Sequence, residues 1–209
     1  MTNFAQRERR TLADELARVG HDAPTLCEGW RAEDLAAHLV IRERRPDAGP
    51  GLVIGALAGH TERVQERVKR RRSFSELVDA IRRGPPFPLR LRFIDEPMNT
   101  AEYFVHNEDV RRAQQNWEPR ELDPQLERAL WSRLKMMARS LGRHAAGGLV
   151  LEAPGFGSIT AKSGAPLVTI SGPPGEILLL AFGRQAAARV TWEGDRAGIE
   201  AITSAKLGI

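Results

Sequence analysis

Two histidines of the chain each follow an acidic residue at a spacing of four: His38 follows Asp34, and His106 follows Glu102. On a helix this spacing places both side chains on one face, about one turn apart, where they can share a metal ion. Each acid also has a simpler interpretation. Asp34 suits the dipole at a helix start, and Glu102 suits a capping box with Asn99. The two pairs alone therefore leave metal binding and helix capping both open.

The surroundings of the two histidines favour a metal. Both histidines fall in the middle of predicted helices, and their apolar neighbours turn that face of each helix inward. A buried histidine needs a polar partner. Two inward histidines and an inward carboxylate, carried by different helices, can satisfy one another through a divalent cation. Two His and one Glu form a ligand set of catalytic zinc sites, which leaves the fourth position to water or substrate.

The remaining motifs carry less chemistry. The chain contains no phosphate loop, no GxSxG and no HExxH, and Gly155-Phe156-Gly157 is interpreted as a tight turn. Cys27 has no flanking base to activate it and is predicted to be a small buried residue near a helix start. Other positions are interpreted as follows: His21 in a surface loop, His144 at a helix end, His60 without an assigned role, and Gly51, Gly55 and Gly59 in a flexible wall or a close helix contact.

Composition limits the classes of protein that the chain can belong to. Of 31 basic residues four are lysine, which leaves 27 arginines, and 27 acids reduce the formal net charge to +4 over 209 residues. So small a surplus is not a dedicated phosphate-binding surface, and it argues against nucleic-acid binding. One cysteine excludes an internal disulfide and a Cys-rich zinc site. No signal peptide or membrane span is recognised, so we expect a cytoplasmic protein.

Glycine content and charge both change near Gly147-Gly148. Residues 1–145 contain 8 glycines and residues 146–209 contain 11, although the second segment is less than half as long. The second segment has 5 basic and 5 acidic residues, so the whole net charge lies in the first. We therefore predict a helical domain over 1–145 and a small α+β domain over 146–209.

Apolar spacing predicts the elements that position the histidines. Residues recurring at intervals of three and four, together with caps and breakers, predict helices near 12–19, 30–44, 64–68, 73–81, 99–115 and 123–141. Four of these helices are long and have apolar faces, which indicates a helical bundle. The second segment is predicted to fold as strands 149–153, 158–162 and 167–171, helix 174–184, strand 188–192 and helix 195–203. This order is typical of one sheet covered by two helices.

At these residues the chain resembles a known family. Three stretches are similar to the metal-binding amino-terminal domain of mycothiol-dependent maleylpyruvate isomerases: Thr25-Leu26-Cys27-Glu28-Gly29-Trp30, Asp34-Leu35-Ala36-Ala37-His38-Leu39 and Glu102-Tyr103-Phe104-Val105-His106. That domain belongs to the DinB-like four-helix bundle superfamily. Residues 174–194 resemble the accompanying carboxy-terminal domain, a small α+β fold similar to sterol carrier proteins. The resemblance is to an actinobacterial-type subgroup with no assigned reaction.

The resemblance implies a ligand set and a cofactor. His38, Glu102 and His106 would hold a divalent metal, usually taken as zinc, and mycothiol would be the thiol cofactor. An arginine of the carboxy-terminal domain assists catalysis in the isomerases, and Arg184 is the nearest candidate; pairing with the dipole at a helix end is its alternative role. Arg31 stands where the family often carries a threonine-like cap, so that helix start must be capped otherwise.

Two functions follow as hypotheses. The first is a metal- and thiol-dependent isomerase or transferase acting on a small molecule. A metal-bound thiol is deprotonated near neutral pH, and its anion can add to an activated alkene or displace a leaving group. The alternative is a non-catalytic binding protein in which the second domain holds an apolar or lipid ligand and the metal is structural.

Overall fold

The fold of the chain is α+β, as the sequence predicts. The structure is a computed structural model that describes residues 3–44, 58–205 and 207, without the side chains of residues 58, 60 and 61. Gly51 and Gly55, which were predicted to form a flexible wall or a close helix contact, lie outside the described residues. The side chain of His60 also lies outside them. The chain divides into two compact units, residues 1–119 and 120–209. Within the described residues, no helix combines the length and the apolar character needed to cross a membrane.

The described part of unit 1 consists of helices. They are α1 (Phe4–Val19), α2 (Ala32–Arg44), α3 (Ala58–Arg71), α4 (Phe74–Arg83) and α5 (Arg92–Arg111). Helix α1 packs against α4 and α5, and α2 packs against α3 and α4. Their apolar faces form one core that includes Leu12, Leu16, Leu35, Leu39, Leu77, Ile81, Tyr103 and Val110. The spacing of three and four that predicted the helices is therefore the spacing of their core residues.

Unit 2 contains a four-stranded sheet and three helices among its described residues. The elements are α6 (Pro124–Gly142), β1 (Gly148–Ala153), β2 (Gly157–Lys162), β3 (Leu167–Ser171), α7 (Pro174–Ala181), β4 (Thr191–Gly194) and α8 (Arg196–Ser204). The strand order is β2-β1-β3-β4. Strand β1 pairs antiparallel with β2 and parallel with β3, and β4 pairs antiparallel with β3. The predicted order of strands and helices is confirmed, with β4 shifted from 188–192 to 191–194.

Helix α6 groups with the sheet, so the compact units differ from the predicted domains 1–145 and 146–209. It packs against α7 and β2. At its end, a Cβ atom on Gly142 would lie only 2.4 Å from the carbonyl oxygen of Ala161 on β2. Gly147 and Gly148 are buried and closely surrounded by residues 164–167. The glycine pair therefore allows close contact within the sheet of unit 2, and the boundary between the units along the chain lies before α6.

Helix α5 begins at Arg92, whereas Asn99 or Thr100 was the predicted start. Pro97 lies inside the helix and lacks the N–H that would bond to the carbonyl of Phe93. Asp95, one of the residues gained, is buried and paired with Arg9 of α1. This tertiary pairing fixes the first turns of α5 despite the proline.

Arg9 is fully buried and joins three helices. Its guanidinium donates to both carboxylate oxygens of Asp95, at 3.1 and 2.7 Å, and to Oε1 of Glu43 on α2 at 2.6 Å. It also lies over the ring of Tyr103, 4.4 Å from the centroid. Burial alone would lower the pKa of Arg9, but the hydrogen bond with Asp95 and the charge of Glu43 raise it above its ordinary value. Arg9 thus neutralises acids that the core could not otherwise accommodate.

We expect Arg9→Ala to lower the free energy of unfolding by about 3–5 kcal/mol, because it leaves two buried carboxylates without a cation. Arg9→Lys keeps the charge but loses the bidentate contact, and its loss should be smaller. Arg18→Ala is the matched control: it removes an exposed pair with Glu15, which solvent screens and which contributes little to stability. Urea denaturation measures all three. Equal losses for Arg9→Ala and Arg18→Ala would contradict the role given to the buried network.

Limited trypsin digestion locates the boundary between the units. Arg120 lies in the irregular segment before α6, and Arg143 lies at the end of α6, close to the predicted boundary. Between residues 112 and 150 we expect the first cut after Arg120, because the segment around it has no helix or strand to unfold. Amino-terminal sequencing should find a fragment that begins at Glu121. A first fragment beginning at His144 would instead support domains divided near Gly147.

Candidate metal centre

Helices α2 and α5 carry most of the polar groups of the candidate site. Along α5 polar side chains recur at spacings of four and three, which keeps them on one face of the helix. They are Asp95, Asn99, Glu102, His106 and Asp109. Along α2, His38 and Arg42 are one turn apart. The third contributor is the loop before α2, which contains Cys27 and Trp30.

The structure brings His38, Glu102 and His106 together. The rings of His38 and His106 meet edge to face, with centroids 5.5 Å apart. Nε2 of His106 lies 3.6 Å from Oε2 of Glu102. The ring of Trp30 lies 5.0 Å from that of His38 and closes one side. The three residues that the resemblance implies as ligands are therefore neighbours, carried by two helices.

His38 and Glu102 have the protonation forms that a metal requires. Nδ1 of His38 is buried and has no hydrogen-bond partner among the described residues. Burial, followed by the charges of His106 and Arg42, lowers the pKa of His38 to about 3, so the imidazole is neutral. Burial alone would raise the pKa of Glu102, but its contact with His106 and the charge of Arg42 lower it to about 2. A neutral imidazole and an ionised carboxylate are the forms that bind divalent cations.

The other ring nitrogen of His106 faces a second cluster. Nδ1 of His106 lies 2.9 Å from Oδ2 of Asp109, which is fully buried. Cys27 Sγ lies 3.2 Å from the same oxygen. Burial alone would lower the pKa of His106, but its hydrogen bonds with Asp109, Cys27 and Glu102 raise it well above the ordinary value. Asp109 therefore holds both the ring of His106 and the thiol of Cys27.

The loop that carries Cys27 is fixed to α5 by its backbone. Leu26 donates its N–H to the carbonyl of Asp109 at 3.0 Å. Gly29 has φ of +75°, a left-handed conformation that glycine adopts at little cost, and it turns the chain towards Trp30. From the sequence, Cys27 is predicted only to be a small buried residue near a helix start. The structure adds a polar contact, and the thiol remains partly exposed.

Cys27, His106 and Asp109 form a second group of possible ligands, with one ligand atom of each within 4.8 Å of the others. Asp109 is not among the site residues predicted from the sequence. The available signal was its spacing of three from His106, which places it on the same helix face. In metal sites the second nitrogen of a ligating histidine usually donates to a carboxylate, which fixes the ring. Asp109 matches this role, and the unpartnered Nδ1 of His38 favours an ion on the Glu102 side.

Asp34 and Glu102, which both follow the same spacing in the sequence, have different roles in the structure. Asp34 accepts from the backbone N–H of Arg31 at 2.9 Å and pairs with Lys69 at 2.6 Å, so it stabilises the start of α2. Glu102 lies in the middle of α5, far from its start at Arg92. Capping therefore describes Asp34, and the predicted capping box of Glu102 with Asn99 is wrong.

The remaining predicted residues lie elsewhere. Arg184 belongs to unit 2, just after α7, where its guanidinium donates to the carbonyl of Phe182 at 2.5 Å. That contact matches the helix-end alternative, and its catalytic role stays a prediction. His21 is exposed, with Nδ1 3.3 Å from Asp22, and His144 is exposed beyond α6.

Comparison with known proteins gives a relationship of fold. A scan against protein-family models gives no match, and neither does a search of the curated proteins. Among solved structures, the chain is similar to a mycothiol-dependent maleylpyruvate isomerase, with 17% identity, a TM-score of 0.56 and coverage of 93% of this chain and 91% of that one. The chain shares the fold of this isomerase. A histidine-to-alanine variant of such an isomerase also matches, with 16% identity, a TM-score of 0.54 and the same coverage.

The fold inferred by resemblance is thereby confirmed over both units of the chain. At this level of identity the likeness carries the backbone architecture and not the reaction. The arguments for a metal therefore come from the contacts of His38, Glu102 and His106 in this chain.

Asp109→Asn tests which set of groups holds the ion. If Asp109 orients His106 from behind, the amide should weaken divalent-metal affinity about 10- to 100-fold. Cys27→Ser is the matched control, because its hydroxyl still donates to Asp109, and it should bind metal like the unmutated protein. Competition with a chromophoric chelator measures both. A loss of metal in Cys27→Ser that equals the loss in Asp109→Asn would show instead that the thiol is a ligand.

Proposed function

We propose that the protein is a divalent-metal-binding enzyme that uses a low-molecular-weight thiol, in an isomerase or S-transferase type of reaction. Two observations carry the proposal: His38, Glu102 and His106 are neighbours, and Nδ1 of His38 is buried without a described partner. These three residues would hold the ion, which we expect to be zinc. Two imidazoles and one carboxylate leave a divalent ion with a net positive charge of about one, and with one coordination position for a small ligand.

The surrounding residues prepare the ligand set. Asp109 holds His106 at Nδ1 and leaves Nε2 on the side of Glu102. The contact with His106, followed by the charge of Arg42 at 3.7 Å, lowers the pKa of Glu102 and favours its ionised form. Trp30 covers one side of His38 and limits access of water. A divalent cation bound here would lower the pKa of a coordinated thiol, so that the thiol reacts as its anion near neutral pH.

A thiol anion supports both types of reaction without an added oxidant or reductant. In isomerisation its sulfur bonds to one carbon of an alkene conjugated to a carbonyl, and the π electrons move to the carbonyl oxygen. Rotation about the resulting single bond follows, and re-formation of the double bond expels the thiol anion unchanged. In S-transfer the sulfur displaces a leaving group, which departs with its electron pair. The thiol of the similar isomerase is mycothiol, and we extend that cofactor to this chain as part of the proposal.

Arg184 retains its place in the proposal as a catalytic residue of unit 2. A structural metal in a non-catalytic carrier is the alternative that the following experiment addresses.

Cobalt loading tests the metal and the thiol in one series. Protein stripped with a chelator should bind about one Co²⁺ per chain, and His38→Ala and His106→Ala should bind little. His21→Ala, which removes an exposed histidine, is the control. Adding mycothiol should then produce a sulfur-to-cobalt absorption band in the near ultraviolet. Full cobalt occupancy in both ligand variants would move the site elsewhere, and a spectrum indifferent to thiols would leave a structural metal.

A further inference from the structure

Arg42 differs from the buried arginine of the same unit in the charge of its partners. Arg9 is saturated by two carboxylates. Arg42 donates to the amide oxygen of Asn99 and to the backbone carbonyl of Met98, and both acceptors are neutral. The carboxylate recorded near Arg42 is that of Glu102, at 3.7 Å, which is longer than a hydrogen bond. The positive charge of Arg42 is therefore not cancelled by a tight ion pair among the described residues.

The guanidinium of Arg42 is held in place. Asn99, its partner, donates from Nδ2 to Asp95 at 2.6 Å, and Asp95 is fixed by Arg9. The side chain of Arg42 is nevertheless 21% exposed, so a solute can reach it. Of its five N–H donors, Nε has no acceptor among the described residues. A fixed, reachable guanidinium with a donor to spare fits the oxygens of a carboxylate.

Its position links this charge to the candidate metal centre. Arg42 follows His38 by one helical turn, so both side chains lie on one face of α2. It also faces Glu102, a residue of the proposed ligand set. If Glu102 binds an ion, its negative charge is shared with that ion. The positive charge of Arg42 is then neutralised even less by Glu102.

We infer that Arg42 forms an anion subsite beside the metal centre, and that a small molecule bound at this centre carries a carboxylate. This inference rests on the proposed function, because it takes the open metal position as the place of the reacting thiol. Arg42 selects the ligand through a charge-assisted contact. A neutral ligand of equal size lacks that contact.

Two small thiols of similar size test the subsite in the cobalt-loaded protein. The probes are 3-mercaptopropionate and 2-mercaptoethanol, and their binding is followed by the sulfur-to-cobalt band. We expect the carboxylated thiol to bind about tenfold more tightly, in keeping with one hydrogen bond to a charged group. In Arg42→Gln the ratio of the two affinities should fall to about twofold or less, whatever the absolute affinity of the variant for either thiol. Arg18→Gln, on the exposed face of α1, should keep the full preference.

The Arg42 variants distinguish an anion subsite from two other causes of a preference for the carboxylated thiol. A carboxylated thiol can also chelate the ion, but chelation would preserve the preference in Arg42→Gln and so overturn the inference. Equal weakening of both thiols in Arg42→Gln would also overturn it, because Arg42 would then act only through Glu102. Arg42→Lys, which keeps the charge without the planar fork, should retain part of the preference and covers the case in which Arg42→Gln loses its metal.

The cobalt spectra distinguish an error in the anion subsite from an error in the proposed thiol dependence. If neither thiol changes the cobalt spectrum, thiol dependence itself is wrong. If both thiols bind the unmutated protein equally well, thiol dependence stands and the anion subsite is wrong. Propionate distinguishes the source of the carboxylate: competition with 3-mercaptopropionate, but not with 2-mercaptoethanol, places a carboxylate of any molecule at Arg42.

Discussion

The polar face of α5 is the constraint around which unit 1 is arranged. Asp95, Asn99, Glu102, His106 and Asp109 all lie on this face, and all but Glu102 are buried. Buried polar groups without partners cost about 1–3 kcal/mol each. The neighbouring elements supply partners: a buried arginine from α1, a second arginine from α2 and a thiol from the loop before α2. Fold stability and the candidate site therefore depend on the same row of side chains.

The order of the partners along this row determines which charges remain available. Arg9 neutralises Asp95 and Glu43 at one end. Because Asp95 is already paired, Asn99 can donate to it and turn its amide oxygen to Arg42. The charge of Arg42 then remains close to the proposed ligands. Compared with apolar residues of similar volume, a buried ion pair adds little net stability, although removing one partner is costly. The pair of Arg9 and Asp95 also positions the charges next to the candidate site.

Periodicity in the sequence was sufficient to predict the order of helices and strands, but not the contacts of Arg9 with Asp95 and of Asp109 with His106. Helical spacing predicted α2 and the second half of α5, and so it placed His38 and His106 on different helices of one bundle. It could not predict that Arg9 pairs with Asp95, 86 residues away, and without that pairing the residues around Pro97 had no helical signal. Asp109 was missed for a related reason, since its meaning depends on which nitrogen of His106 it contacts. Long-range contacts of polar residues carry no periodic pattern that a single sequence displays.

The division of the chain into units separates the proposed metal ligands from the arginine that the resemblance assigns to catalysis. All the candidate ligands, together with Asp109 and Arg42, come from α2, α5 and the loop that carries Cys27, which are parts of unit 1. Arg184 belongs to unit 2. Under the proposed function, substitutions in unit 2 would leave the proposed ligands in place, whereas a change on the polar face of α5 alters both the candidate site and the buried core of unit 1.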